Sequence, residues 1–156
     1  MSFPEALARP LMAGMFIYGG LDAVRRPQPK TAAAEPVVES IAASTGMTTE
    51  QLVRVNGAVQ VVAGSALALG MFPRPAALAL AASLVPTTLA GHRFWEADAS
   101  ARRGQTIHFL KNVAMVGGLI ITANSTGGRP SVPWRARRAV HRATDSAGDA
   151  IERLHR

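Results

Sequence analysis

The chain has 156 residues, about one domain, and no cysteine, so disulfide exchange, thiolate metal sites and dithiol redox chemistry carried by this chain alone are excluded. Its 17 basic residues outnumber 10 acidic ones for a formal charge of +7, and seven of the 17 fall after residue 128, beside a hydrophobic segment. That placement favours an anionic membrane surface. Without a recognition-helix pattern or basic–aromatic interleaving, nucleic acid is not an expected partner. A mean hydropathy of +0.14 hides a segregation, with charges gathered at Arg25–Lys30, Arg93–Arg103 and from Arg129 onward, and long uncharged runs between.

Ser2-Phe3-Pro4-Glu5 has the residue order of a helix start, with a capping serine, a proline suited to the first turn and a glutamate three residues on. The first helix is expected over about 4–24, ending at Arg25-Arg26-Pro27-Gln28-Pro29. Its charge-free stretch, Pro10 to Leu21, is short for a span, so Arg9 must snorkel at one interface, beside Glu5 four residues earlier, and Asp22 must sit at the other. No basic segment precedes the apolar run, so it is expected to remain as a membrane helix rather than be cleaved.

Residues 30–47 read as a connection with a short amphipathic piece, Glu35 to Ala43, in which Val37, Val38, Ile41 and Ala42 can share a face. Thr48-Thr49-Glu50-Gln51 is a capping box, and a second helix is expected over 49–72 with nothing charged after Arg54. Pro73-Arg74-Pro75 makes a tight connection into a third helix, 75–95, with Pro86 inside it. A polar loop follows, and a fourth helix runs over 106–123 before Asn124-Ser125-Thr126-Gly127-Gly128. Val61–Leu69, Ala76–Val85 and Val113–Ile121 carry no charged face, which a soluble helix would need. The expected fold is therefore all-α: an integral membrane four-helix bundle over 1–128, with glycines such as Gly57, Gly64, Gly70, Gly117 and Gly118 allowing close helix approach. Residues 129–156 read either as a basic amphipathic tail lying on the membrane, with Trp134, Arg135, Arg138 and Arg142 at its surface, or as a solvated tail.

With four spans, both chain ends share one side, and the polar residues sort toward the other. Asp22, Asn56, Gln60, Thr87, Thr88, His92, Glu96, His108, Lys111 and Asn112 all fall toward the connection end, while the opposite half reads as nearly bare. Polar groups in apolar surroundings are costly unless partnered. The set reads as a hydrogen-bonded plug fixing helix register, as a ligand pocket or as a partner surface. Lys111 is expected to pair with Asp22 or Glu96. His92, Glu96 and His108 are too few for a recognised metal spacing, and haem ligation by the two histidines has no more support.

Several of these residues carry a resemblance. Arg9, a first helix with Phe16, Gly19 and Gly20, Gly57 and Gly64, the stretch His92-Arg93-Phe94-Trp95, and Phe109-Leu110-Lys111-Asn112-Val113-Ala114-Met115-Val116-Gly117-Gly118-Leu119 together resemble the DoxX family of four-span bacterial membrane proteins over about residues 5–123. The resemblance implies a bacterial plasma membrane protein. Relatives are associated with thiosulfate:quinone oxidoreductase or with membrane-anchored redox-defence assemblies. It places the motif residues His92, Lys111 and Asn112 in the polar cluster. The expected role is a non-catalytic accessory or docking subunit bound to another membrane or membrane-associated protein and to no cofactor of its own. The alternative is an oxidoreductase subunit binding a quinone at the polar end. Counting cations by side gives nine with the termini and eight with the connections, and the crowding of tail arginines next to the fourth helix favours cytoplasmic termini.

Overall fold

Two prolines break the first helix and immediately start another. In the computed structural model, which describes residues 3–125 together with Arg137, Arg138, Arg142 and Thr144, helix α1 spans Phe3–Arg25 and α2 spans Gln28–Thr45. Pro27 and Pro29 stop α1 because a helix interior needs the N–H they lack, yet a first turn does not need it, so α2 begins at once. The expected connection over 30–47 is thus mostly an 18-residue helix, and the described residues form five helices rather than four. Ala34 and Val38 are its buried residues, while Ile41, expected on the same face, is exposed. Gly46 closes it in the left-handed region at φ 70°, its N–H donating to the carbonyl of Ala42.

Helix α3, Thr49–Ala68, starts with the expected capping box: the Gln51 N–H donates to Thr48 Oγ1 at 3.2 Å, and the Thr48 N–H to Gln51 Oε1 at 2.8 Å. It ends four residues short of Phe72. Gly70, at φ 69°, lets its own N–H reach the Leu67 carbonyl and that of Met71 reach Ala66, the paired bonds of a Schellman stop. Helix α4, Pro73–Gly91, uses Pro73 at its first position. Helix α5, Ala99–Asn124, begins seven residues earlier than the apolar run suggests, so Gln105 lies on the helix and not in the loop.

Packing reverses the usual size order. The interior is built largely from small residues, Ala13, Gly20, Ala23, Gly57, Ala63, Gly64, Ala76 and Ala77, filled out by Phe16, Leu67, Leu80, Leu84 and Leu119. Larger apolar side chains point outward at helical spacing: Leu7, Leu11, Met15 and Tyr18 on α1; Val55, Val59 and Val62 on α3; Leu78, Val85 and Leu89 on α4; Ile107, Leu110, Val113, Ile120 and Ile121 on α5. Leu11 and Tyr18 are 72% and 78% exposed. Water would penalise such a surface, and hydrocarbon does not. By length and composition one helix among the described residues, α5, qualifies as a membrane span; 11% of its most apolar window is buried.

The antiparallel order of α1, α3, α4 and α5 is set by close contacts. Gly20 meets Gly57 so tightly that a Cβ on Gly20 would lie 2.6 Å from the Gly57 carbonyl oxygen, and the backbones of α1 and α3 touch there. Lower on the same pair, a Cβ on Gly64 would meet the Ile17 side chain at 3.0 Å, while Gly117, expected at a helix contact, faces open space. Helix α2 lies against α3 and α4 at the connection end, tied by the Arg93 guanidinium donating to the Ala33 carbonyl at 2.6 Å.

The chain divides into two units, Met1–Ser125 and Thr126–Arg156. In the second, Arg137, Arg138, Arg142 and Thr144 are helical and exposed. Trp134 and Arg135 lie outside the described residues.

Candidate functional site

The polar end of the bundle is organised by two adjacent threonines. Each hydroxyl gives its proton to the carbonyl four residues back, Thr87 to Ser83 at 2.9 Å and Thr88 to Leu84 at 2.7 Å, which leaves the oxygen lone pairs facing other helices. Thr87 Oγ1 accepts from Asn56 Nδ2 at 3.0 Å and Gln60 Nε2 at 3.1 Å, both on α3. Thr88 Oγ1 accepts from Asn112 Nδ2 on α5 at 3.0 Å. Gln60, Thr88 and Asn112 are buried, so α4 is pinned to each neighbour by amide–hydroxyl bonds in low-dielectric surroundings. Among the described residues, no side-chain nitrogen or oxygen fully sealed from solvent lacks a hydrogen-bond partner.

One turn further out, His92 and His108 stack with ring centroids 5.1 Å apart and planes 19° from parallel. His92 Nδ1 lies 2.9 Å from Gln105 Oε1; an amide oxygen only accepts, so Nδ1 carries the proton and a neutral ring keeps Nε2 as an acceptor. His92 is half-buried and His108 exposed. Beside them Phe94 and Trp95 pack edge-on against Phe109, with centroids at 5.3 and 6.0 Å, an aromatic group of the kind that settles at a membrane–water interface.

The remaining members of the sequence cluster go elsewhere. Asp22 pairs with Lys30 across the α1–α2 junction. Glu96 is held by Arg93 at 3.1 Å and by Trp95 Nε1 at 3.2 Å. It therefore does not join the histidines, and no group of three or more metal-ligating side chains forms among the described residues. Lys111, expected to meet one of these carboxylates, is exposed, because nearer cations hold both. Lys111→Met should accordingly shift the melting of detergent-solubilised protein by less than about 0.5 kcal/mol, as exposed substitutions do. A loss of several kcal/mol would restore a buried ion pair for this lysine.

Sequence reasoning missed Gln105 because the start of its helix was placed too late; its spacing of three from His108 on one helix was the available signal. At the opposite end it anticipated Arg9 beside Glu5, found 3.8 Å apart, but not that Arg9 is only 9% exposed, nor that Ser125 Oγ donates to Glu5 Oε1 at 3.0 Å and Arg74 Nε to the Ser125 carbonyl at 3.2 Å.

Among known proteins, the family model described as DoxX matches residues 5–93, which takes in α1 to α4 and His92. No curated protein and no solved structure matches the chain.

Proposed function

The chain belongs to the DoxX family of membrane proteins, and on that premise we propose that it is a multi-pass protein of the bacterial plasma membrane acting as a non-catalytic accessory or docking subunit, with a membrane redox assembly as its setting. In this reading α1, α3, α4 and α5 cross the bilayer and α2 lies at the connection end. At about 1.5 Å per residue, the 19 residues of α4 reach about 28 Å, close to the hydrocarbon thickness. Support for the crossings comes from the outward stripes of large apolar residues on all four helices. Carbonate washing should leave the protein in the membrane pellet; recovery as a detergent-free soluble monomer would falsify the crossings.

The accessory role rests on one observation: the buried amides of Gln60 and Asn112, with the half-buried amide of Asn56, direct their hydrogen bonds to Thr87 and Thr88 on a neighbouring helix. Such bonds hold helix register and compete with any ligand for the same groups. The half-buried His92 beside Gln105 and His108 favours the second reading, a quinone at this end, since Nε2 suits a hydroquinone hydroxyl. Gentle solubilisation separates the two. The accessory role predicts colourless protein with quinone far below one per chain and a stoichiometric partner polypeptide released by Trp95→Ala. Quinone retained at one per chain and lost in His92→Ala would establish the other reading.

Cytoplasmic termini are part of the same proposal. Single cysteines at Ser100 and Ser146 in this cysteine-free chain report the orientation in intact cells. A membrane-impermeant maleimide should label position 100 and spare position 146; the reverse pattern would put the polar end in the cytoplasm.

A further inference from the structure

Away from the polar cluster, at the end of the bundle where α1 begins and α5 finishes, a cavity of about 160 Å³ opens between α1, α3 and α5. Glu5, Arg9, Thr122 and Ser125 line its polar part, and Met12 and Leu67 its apolar part. Ala8 and Ile121, both exposed, form the rim, so the mouth gives onto the outer apolar surface of the bundle.

Arg9 is out of balance there. A guanidinium has five donors, and burying it is costly unless they are used. Arg9 is nine-tenths buried, yet among the described residues its one interaction is the ion pair with Glu5 at 3.8 Å, too long for a hydrogen bond. The Glu5 carboxylate is itself drawn toward Ser125. Arg74, bonded to the Ser125 carbonyl, adds a second positive charge beside the cavity. Among the described residues the site thus presents a donor fork with no acceptor at bonding distance, two cations to one carboxylate, and an apolar flank on the outer surface of the bundle.

We propose that this cavity binds the headgroup of a zwitterionic aminophospholipid, its phosphate on Arg9 and its ammonium toward Glu5. A phosphate accepts two parallel N–H bonds from a planar guanidinium, which a single carboxylate at 3.8 Å does not supply. The ammonium is placed toward Glu5 because that carboxylate lines the same cavity. Met12, Leu67 and Ile121 accommodate the start of the acyl region. The assignment concerns the opposite end from His92 and Asn112 and holds whether or not the chain is an accessory subunit.

Full-length protein in mild detergent, titrated with short-chain phosphatidylethanolamine, phosphatidylglycerol or inorganic phosphate and read by native mass spectrometry and thermal shift, tests it. One phosphatidylethanolamine should bind per chain, and Arg9→Gln should weaken that binding about tenfold or more, the loss of charge-assisted bonds. Glu5→Gln should abolish the preference for ethanolamine over glycerol headgroups. Because Arg9→Gln can disturb folding, Ala8→Trp serves as a second variant. It fills the mouth from an exposed position and should block binding with unchanged melting. Equal binding by the parent and both of these variants, or none by the parent, overturns the site. An equal thermal shift with inorganic phosphate makes it an oxyanion site and overturns the lipid assignment.

Discussion

Replacing Gly57 by leucine should cost the detergent-solubilised protein most or all of its cooperative melting transition. A Cβ at this position would lie 2.8 Å from the Gly20 carbonyl oxygen and 2.9 Å from the Ala23 Cβ, and the reciprocal Cβ at Gly20 would lie 2.6 Å from the Gly57 carbonyl. The two nearest obstacles are a carbonyl oxygen and a Cβ, which no rotamer change moves, so α1 and α3 must move apart. That separation forfeits the dispersion contacts which, in lipid, replace the hydrophobic effect as the attraction between helices. Gly57→Ala alone should destabilise by about 1–3 kcal/mol, the range for overpacking. Gly14→Ala and Gly19→Ala are the matched controls, because a Cβ at either meets nothing within 4 Å. Both lie inside α1, where alanine is favoured over glycine by about 0.5–1 kcal/mol, so their melting points should rise. Opposite signs for glycines on one pair of helices are the signature of the close crossing. A Gly57→Ala variant that melts like the parent means that α1 and α3 do not touch there.

The four long helices and the end at which polar residues collect were legible because both depend on one-dimensional information. Uncharged runs mark apolar helices, and an up–down order assigns each polar residue to an end. The capping box at Thr48 was legible for a similar reason, being complete within four residues. What failed needed the third dimension. Pro27-Gln28-Pro29 signals a stop under the same rule that permits prolines in a first turn, and only the packing of Ala34 and Val38 shows that a helix follows. Lys111 and Asn112 are neighbours in the chain, yet Lys111 is exposed and Asn112 buried. Helical spacing alone does not say which face meets α4. Lys111 also lost its expected carboxylates to Lys30 and Arg93, which are closer to them in the chain. Of the site at the far end the sequence shows Glu5 and Arg9, four apart on α1, but not Ser125, which reaches Glu5 from 120 positions away just past the end of α5.

The bond between Thr88 and Asn112 should show a coupling that separates a helix clamp from a ligand site. Asn112 is 6% exposed and Thr88 7%, and the Thr88 hydroxyl proton is committed to the Leu84 carbonyl, so its oxygen is the acceptor for the Asn112 amide. Thr88→Val keeps the shape and removes the acceptor, leaving a buried amide donor unsatisfied at a cost of about 1–3 kcal/mol. Asn112→Leu removes the donor and leaves the threonine still bonded within its own helix, so it should cost less. In the double variant neither group is orphaned. The loss should fall short of the sum of the singles by about 0.5–2 kcal/mol, the scale measured for interhelical bonds in membranes and for coupled neighbours. Thermal melting of the four proteins in one detergent supplies the cycle. Strict additivity would mean that the two side chains do not meet. If the singles melt like the parent while bound quinone is lost, Asn112 is a binding group, and the accessory reading gives way to the quinone one.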